Sequence, residues 1–276
     1  MIVAQSGLEL REILKTCSGR IVLVPTMGAL HPGHLSLIRL ARQAAGPRGT
    51  VIVSIFVNPI QFDRAADLAG YPRPLEADLP ACDVEGADVV FIPEISSMYF
   101  PDRSVTVTES LLSNCLCGAA RPGHFDGVCT VVLKLFLLSG CNAAVFGAKD
   151  FQQLAIIRRM VRDLDVPVEI LEGPTLREDD GLAMSSRNTR LTAAQRADAP
   201  RLHRALQMGA MMRNPEQILK TARAGIEASP LTRIDYLTLV DPQTLQPLTD
   251  LTGSAILAAA VFYGEVRLID HVLCKR

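Results

Sequence analysis

The run Pro25-Thr26-Met27-Gly28-Ala29-Leu30-His31-Pro32-Gly33-His34 joins an apolar stretch at residues 21–24 to a helical pattern that opens at Gly33. His31 and His34 lie three apart, a spacing that sets two imidazoles on one face of a first helical turn. A helix N-terminus carries unpaired N–H groups and a partial positive charge, both suited to phosphate. Placed after a strand of an open parallel sheet, the turn falls where such sheets bind ligands. Gly33 leaves room for a ligand to approach the backbone. Imidazoles at this point can donate to phosphate oxygens as charge builds in a transition state. The plainer alternative is a pair of capping histidines.

His31-Pro32-Gly33-His34 resembles the H-I-G-H signature of nucleotidylyltransferases and class I aminoacyl-tRNA synthetases, which attack the α-phosphorus of ATP. The second signature of those enzymes is a K-M-S-K-S-like loop, and Met184-Ser185-Ser186-Arg187-Asn188 is the matching segment. Two hydroxyls and a guanidinium there suit β- and γ-phosphates. Further segments follow in order: Ser54-Ile55-Phe56-Val57-Asn58-Pro59-Ile60-Gln61-Phe62, Tyr71-Pro72-Arg73, Arg121-Pro122-Gly123-His124-Phe125 and Phe146-Gly147-Ala148-Lys149-Asp150-Phe151-Gln152-Gln153. Each alone is weak. Together with the histidine turn and Asp180-Gly181-Leu182-Ala183-Met184, they resemble the pantoate–β-alanine ligase family over essentially the whole chain.

The resemblance implies two half-reactions. The pantoate carboxylate attacks the α-phosphorus of ATP, which arrives with Mg2+, to give pantoyl adenylate and pyrophosphate. The amine of β-alanine then displaces AMP. It also implies residue roles. Met27, Gly28, Ala29, Leu30, His31, Pro32, Gly33 and His34 line the ATP site, with His34 on the α-phosphate and His31 beside it. Gly147, Ala148, Lys149 and Asp150 meet ATP, Lys149 toward the phosphates and Asp150 toward the ribose. Leu176 meets adenine through its backbone, and Met184, Ser185, Ser186 and Arg187 close on the triphosphate. Gln61, Gln153 and Asn58 hold pantoate, and Gln61, Tyr71, Arg121 and His124 stand toward β-alanine. Catalysis then rests on His34, His31, Lys149 and Arg187, with no resident metal and no covalent nucleophile. A homodimer is implied as well.

Three positions depart from the family pattern. Ala148 and Cys117 stand where Glu is usual, and Asp126 stands where Arg is usual. They spare the histidines, the glutamines, Lys149 and Ser-Ser-Arg. Two rival readings stay open: a nucleotidylyltransferase that keeps AMP on its product, and a nucleotide-binding module without activity.

The elements that must position these residues alternate between strand and helix. Strand-like runs at 21–24, 51–57, 88–92, 143–146 and 166–171 are interleaved with helical patterns at 33–45, 75–84, 127–138 and 151–164. Residues 104–108 alternate as a short strand does. This order predicts an α/β fold, a Rossmann-like parallel sheet flanked by helices. Asp126 and Asp150 are placed to cap the helices that follow them. After residue 173 the pattern changes to helices at 192–212, interrupted by Pro200, and at 215–228. Strand-like runs follow at 234–240, 255–261 and 266–269. This predicts a smaller α+β domain, with domains at 1–176 (ATP and pantoate) and 177–276 (a lid bearing the Ser-Ser-Arg loop).

Of 276 residues, 49% are hydrophobic and the formal net charge is -1, which fits a folded enzyme and gives no support to bulk-charge nucleic-acid binding. Seven cysteines without regular spacing make a poor disulfide framework and read as reduced thiols. Residues 127–147 are long and apolar enough to test as a membrane span. Lys134 and the Ser139-Gly140-Cys141-Asn142 break favour a buried helix, a turn and a strand instead. With no leader-like start, the expected location is the cytoplasm, with small-molecule partners and neither nucleic acid nor membrane.

Overall fold

In the computed structural model, which describes residues 1–274, six parallel strands form one sheet. They are β1 Ile2–Ala4, β2 Ile21–Thr26, β3 Thr50–Ile55, β4 Val89–Phe91, β5 Ala143–Gly147 and β6 Glu169–Gly173. Their spatial order is β1-β4-β3-β2-β5-β6. Every residue of β3 is buried, as expected for a strand covered by helices on both faces. From β2 the chain builds outward through β3 and β4, then returns to the other side of β2 for β5 and β6. The direction of winding therefore reverses between β2 and β5, and this is the switch point at which open α/β sheets bind ligands.

Helices Pro32–Ala45, Leu75–Val84, His124–Ser139 and Phe151–Asp163 connect these strands. Leu37, Ile38 and Ala41 of the first pack on Val22, Val24, Val51 and Val53. Gly173 lets Leu37 pack closely, since a Cβ there would lie 2.1 Å from a methyl of Leu37 and force that side chain to move. Burial pushes the thiols of Cys82 and Cys129 up to about 12 and that of Cys141 to about 11, so these cysteines act as packing groups.

A second compact body holds the rest. It comprises residues from Thr175 onward together with Asn114–Cys117, while Met1–Ser113 and Gly118–Pro174 make up the first. Helices Arg201–Ala210 and Pro215–Glu227 cover an antiparallel sheet of β7 Thr232–Val240, β8 Ala255–Tyr263 and β9 Val266–Cys274. Its core is Leu202, Leu206, Ile218, Ile226, Leu257 and Tyr263 among others.

Several local expectations are corrected. Residues 104–108 are not a strand; Val107 N–H donates to Thr130 Oγ1 at 2.9 Å, and alternation alone specifies only an extended chain. The helix expected to start at Gly127 starts at His124, with Gly123 as its N-cap at φ 77°. Asp126 therefore lies within the first turn, where it meets the helix dipole but does not cap. Asp150 holds the N-cap position before Phe151, yet its carboxylate makes no capping bond; it lies 3.4 Å from Lys149 Nζ. The sixth strand begins at Glu169 rather than 166, after Pro167, which has no N–H to give the ladder. Strand β1 and the helix Gly7–Leu14 were not anticipated. The apolar stretch tested as a membrane span divides into the helix His124–Ser139 and β5, and no described helix is long and apolar enough to cross a membrane.

Candidate functional site

The histidine turn leaves the carboxyl end of β2. Thr26 Oγ1 donates to Ser54 O at 2.8 Å and accepts from Gly28 N–H at 3.2 Å, tying the turn to β3. The chain then takes two left-handed residues, Gly28 at φ 80° and Ala29 at φ 51°. A Cβ at Gly28 would come within 3.0 Å of both Asp78 Oδ2 and Ile55 Cγ2, so the position requires glycine on two counts. Asp78 holds this shape. Its carboxylate, 2% exposed, accepts Ala29 N–H and Leu30 N–H, each at 2.8 Å. Sequence reading missed Asp78, because an acid on a helix reads as a solvated residue and its partners are remote in the chain.

His31 is the N-cap of the helix Pro32–Ala45, and Pro32 occupies a position where its missing N–H costs nothing. His31 Nδ1 accepts from Gly33 N–H at 3.1 Å, and His34 Nδ1 accepts from His31 N–H at 3.4 Å. The two rings lie 4.0 Å apart. The capping alternative and the chemical one are thus both realised. Capping consumes Nδ1 of each ring, and in the neutral form this leaves the proton on Nε2. Burial, reinforced by His31 and Lys149 and opposed by Asp150, lowers the His34 pKa from 6.5 to about 3. His34 is therefore a neutral N–H donor at working pH.

A pH signature follows. The unfolded chain binds a proton at His34 near its ordinary pKa, and the folded chain does so only near 3. Stability from this residue is complete above the unfolded value and is lost as pH falls toward the folded one. In a proton NMR titration from about pH 8 to about pH 5, the His34 ring resonance is expected to stay at its neutral position. A midpoint in that range would overturn the neutral-donor assignment.

Across the switch point, β5 delivers Gly147, then a tight turn of Ala148, Lys149 and Asp150, then Gln153 on the first turn of the next helix. Lys149 and Asp150 are close enough to His34 to act on its titration. On the other side, β3 runs into Asn58 and the turn Pro59–Gln61. Asn58 Nδ2 donates to Gln61 Oε1 at 2.8 Å, and Gln61 Nε2 lies 3.1 Å from Met27 Sδ. Three neighbouring strand ends, β3, β2 and β5, so bring together Asn58, Gln61, Met27, His31, His34 and Lys149, and Gln153 follows on the helix after Lys149.

His124 and Arg121 stand beneath the Gln61 turn. His124 Nδ1 donates to Gln61 O at 2.7 Å, and its Nε2 accepts from Arg121 Nη1 at 3.0 Å. Arg121 also reaches Gln61 O at 3.3 Å and pairs with Asp63 at 3.1 Å. Both therefore buttress the turn. Tyr71 packs edge-on against Phe62, with ring centroids 5.8 Å apart. Gly127 allows the helix His124–Ser139 to touch this turn; a Cβ there would lie 2.7 Å from Gln61 N.

The remaining sequence candidates belong to the second body. Leu176 O accepts from Met184 N–H at 3.0 Å. Ser185 caps the short turn Ser186–Arg190 by accepting from Arg187 N–H at 3.3 Å. Asn188 Nδ2 donates to Glu178 Oε1 and to Ala183 O, both at 3.1 Å. Arg177 makes a two-pronged ion pair with buried Asp270 at 2.7 and 2.9 Å, which anchors the base of the loop. His203 Nδ1 lies 3.3 Å from the same carboxylate, in a structural role.

A parallel α/β sheet with a paired-histidine helix start at its switch point fits the class of phosphate- and nucleotide-binding enzymes. Within that class, residues 3–273 match the family model described as pantoate-beta-alanine ligase, and the chain belongs to this family. It is 52% identical over 259 residues to a pantothenate synthetase of Akkermansia muciniphila, covering 91% of each chain. A crystal structure of a pantothenate synthetase from Thermus thermophilus covers 100% of each chain at 42% identity and a TM-score of 0.95. A pantoate-beta-alanine ligase from Francisella tularensis, solved with beta-gamma ATP and beta-alanine, is similar at 34% identity and a TM-score of 0.83, covering 99% of this chain and 97% of its own. The chain is accordingly a ligase that joins pantoate to β-alanine.

Proposed function

We propose that this ligase activates pantoate with ATP at the carboxyl ends of β3, β2 and β5, through a pantoyl adenylate. The observation that carries the reading is the pair His31 and His34, each spending Nδ1 on the helix start and so carrying its proton on Nε2. An amine cannot displace oxide from a carboxylate. Attack of the pantoate carboxylate on the α-phosphorus expels pyrophosphate and converts that oxygen into part of an AMP leaving group. The β-alanine amine then adds to the acyl carbon, loses a proton and expels AMP.

In this reading Met27 through His34 line the nucleotide. His34 donates to the α-phosphate as charge develops there, and Lys149 supplies positive charge that a neutral imidazole cannot. Asp150 takes the ribose, Gln61 and Gln153 take pantoate with Asn58 bonded behind Gln61 rather than on the substrate, and Tyr71, Arg121 and His124 stand toward β-alanine. Leu176, with Met184, Ser185, Ser186 and Arg187 of the 177–276 domain, serves adenine and the outer phosphates. Mg2+ comes and goes with ATP. The chain works in the cytoplasm as a homodimer on small molecules alone.

Incubation with ATP, Mg2+, pantoate and β-alanine tests the reading: free AMP and pantothenate are expected in equal amounts. A nucleotidylyltransferase that retains its nucleotide releases no AMP, and a binding module without activity forms neither. The order of steps has its own test. With pantoate and ATP alone, a single-turnover rapid quench is expected to yield about one pyrophosphate per site. Pyrophosphate that appears only after β-alanine is added would remove the adenylate from the mechanism.

A further inference from the structure

We propose that Tyr99 is a positioning residue for the pantoate pocket, acting through Asn58 to fix which end of the Gln61 amide faces the substrate. The proposal rests on the reading that Gln61 holds pantoate.

The argument follows hydrogen-bond polarity along three side chains. Tyr99 follows the short helix Ile95–Met98, which leaves the carboxyl end of β4. Tyr99 Oη donates to Asn58 Oδ1 at 2.8 Å. Asn58 is 1% exposed, and its Nδ2 donates to both Gln61 Oε1 at 2.8 Å and Gly127 O at 3.1 Å. A flipped Asn58 would set its oxygen against the Gly127 carbonyl with no proton between them. With Asn58 so fixed, Gln61 must turn its oxygen inward, and its Nε2 becomes the group presented near Met27 Sδ. The pocket thereby gains a donor at this point, which selects for an oxygen acceptor on the substrate and disfavours a competing N–H.

Tyr99 is itself held firmly. Arg103 and Lys134 lie over its ring, at 5.4 and 5.7 Å from the centroid, and Lys134 also donates to Met98 O. Burial raises the hydroxyl pKa above its ordinary value, so the phenol stays protonated and donates throughout the working pH range. Removing the hydroxyl leaves Asn58 Oδ1 buried without its donor, and only Gly127 O then opposes rotation of the amides.

The experiment is a double-mutant cycle read in steady-state kinetics with all three substrates. Tyr99→Phe is expected to raise the KM for pantoate by roughly tenfold while the KM values for ATP and β-alanine stay within about twofold. On a Gln61→Ala background the same change is expected to have no further effect on pantoate. Equal losses for all three substrates, or a full Tyr99→Phe effect on the Gln61→Ala background, would overturn the proposal. If Gln61→Ala alone leaves the pantoate KM unchanged, the underlying assignment of Gln61 fails, a result separable from failure of Tyr99. Should Tyr99→Phe not fold, Asn58→Ser cuts the same chain between its ends. It is expected to give the same pantoate-selective rise, and its absence counts against the proposal.

Discussion

Replacement of His34 by alanine is expected to lower turnover by a factor of roughly 10² to 10³ while leaving a folded protein. The factor is that of a preorganised donor lost from a developing oxyanion. The preorganisation is visible: His34 Nδ1 accepts from His31 N–H, which turns Nε2–H outward, and burial keeps the ring neutral. The same contact carries a structural cost. Alanine removes one cap acceptor from the helix Pro32–Ala45, worth about 1 kcal/mol, or a few degrees in thermal midpoint for a chain of this size. Kinetics and thermal unfolding on the same preparation separate the two effects. Turnover near that of the parent protein would exclude His34 from the phosphate chemistry.

The second large effect is expected at Asp78. Asp78→Ala strips two inward-facing N–H groups, Ala29 and Leu30, of their acceptor at once. Each unsatisfied buried donor costs about 1–3 kcal/mol. Asp78, Met27 and Gly28 also line a cavity of about 610 Å³, from which water can reach the vacated position. The stability loss is therefore placed at about 2 kcal/mol, the low end for two donors. The functional loss should exceed it. Without the carboxylate, nothing compels Ala29 to remain left-handed, and the turn that feeds His31 and His34 relaxes. ATP affinity is expected to fall at least tenfold, with Asp78→Asn intermediate because an amide oxygen can replace one acceptor but not both. Denaturant unfolding and ATP titration would measure the pair of effects. Unchanged ATP binding in a folded Asp78→Ala protein would show that the turn keeps its shape unaided.

The difference between His34 and Asp78 shows what was legible in the sequence. His31 and His34 were legible because their chemistry is local: three residues of spacing, a proline, a glycine and a helix start. Asp78 acts on residues 48 and 49 positions away, and nothing near Leu75–Val84 marks it. Tyr99 meets Asn58 across 41 positions and was silent for the same reason. The parallel sheet was readable from alternating runs, since β3 is mostly β-branched and carries no charged residue. Strand order was not, because it depends on which edge each crossover chooses. The error at one helix start was an error of capping: Gly123 begins its helix with no side-chain cap bond, so a rule built on side-chain caps misplaces that start, whereas Asp150 stands at the expected start of its helix and lacks only the expected bond.

The segment Asn114–Cys117 has a genetic consequence. It is encoded amid the first body but folds with the second, where Cys117 Sγ meets Tyr236 Oη at 3.3 Å and Arg267 Nη1 at 3.4 Å. A fragment beginning at Thr175 would lack that thiol, leaving Tyr236 and Arg267 each short of a contact. Conversely, a fragment ending at Pro174 would carry four residues whose packing partners are missing. The two bodies are therefore not exchangeable cassettes. No single crossover in the gene separates them, and a recombinant descendant that inherits the C-terminal part must inherit this short internal stretch from the same parent.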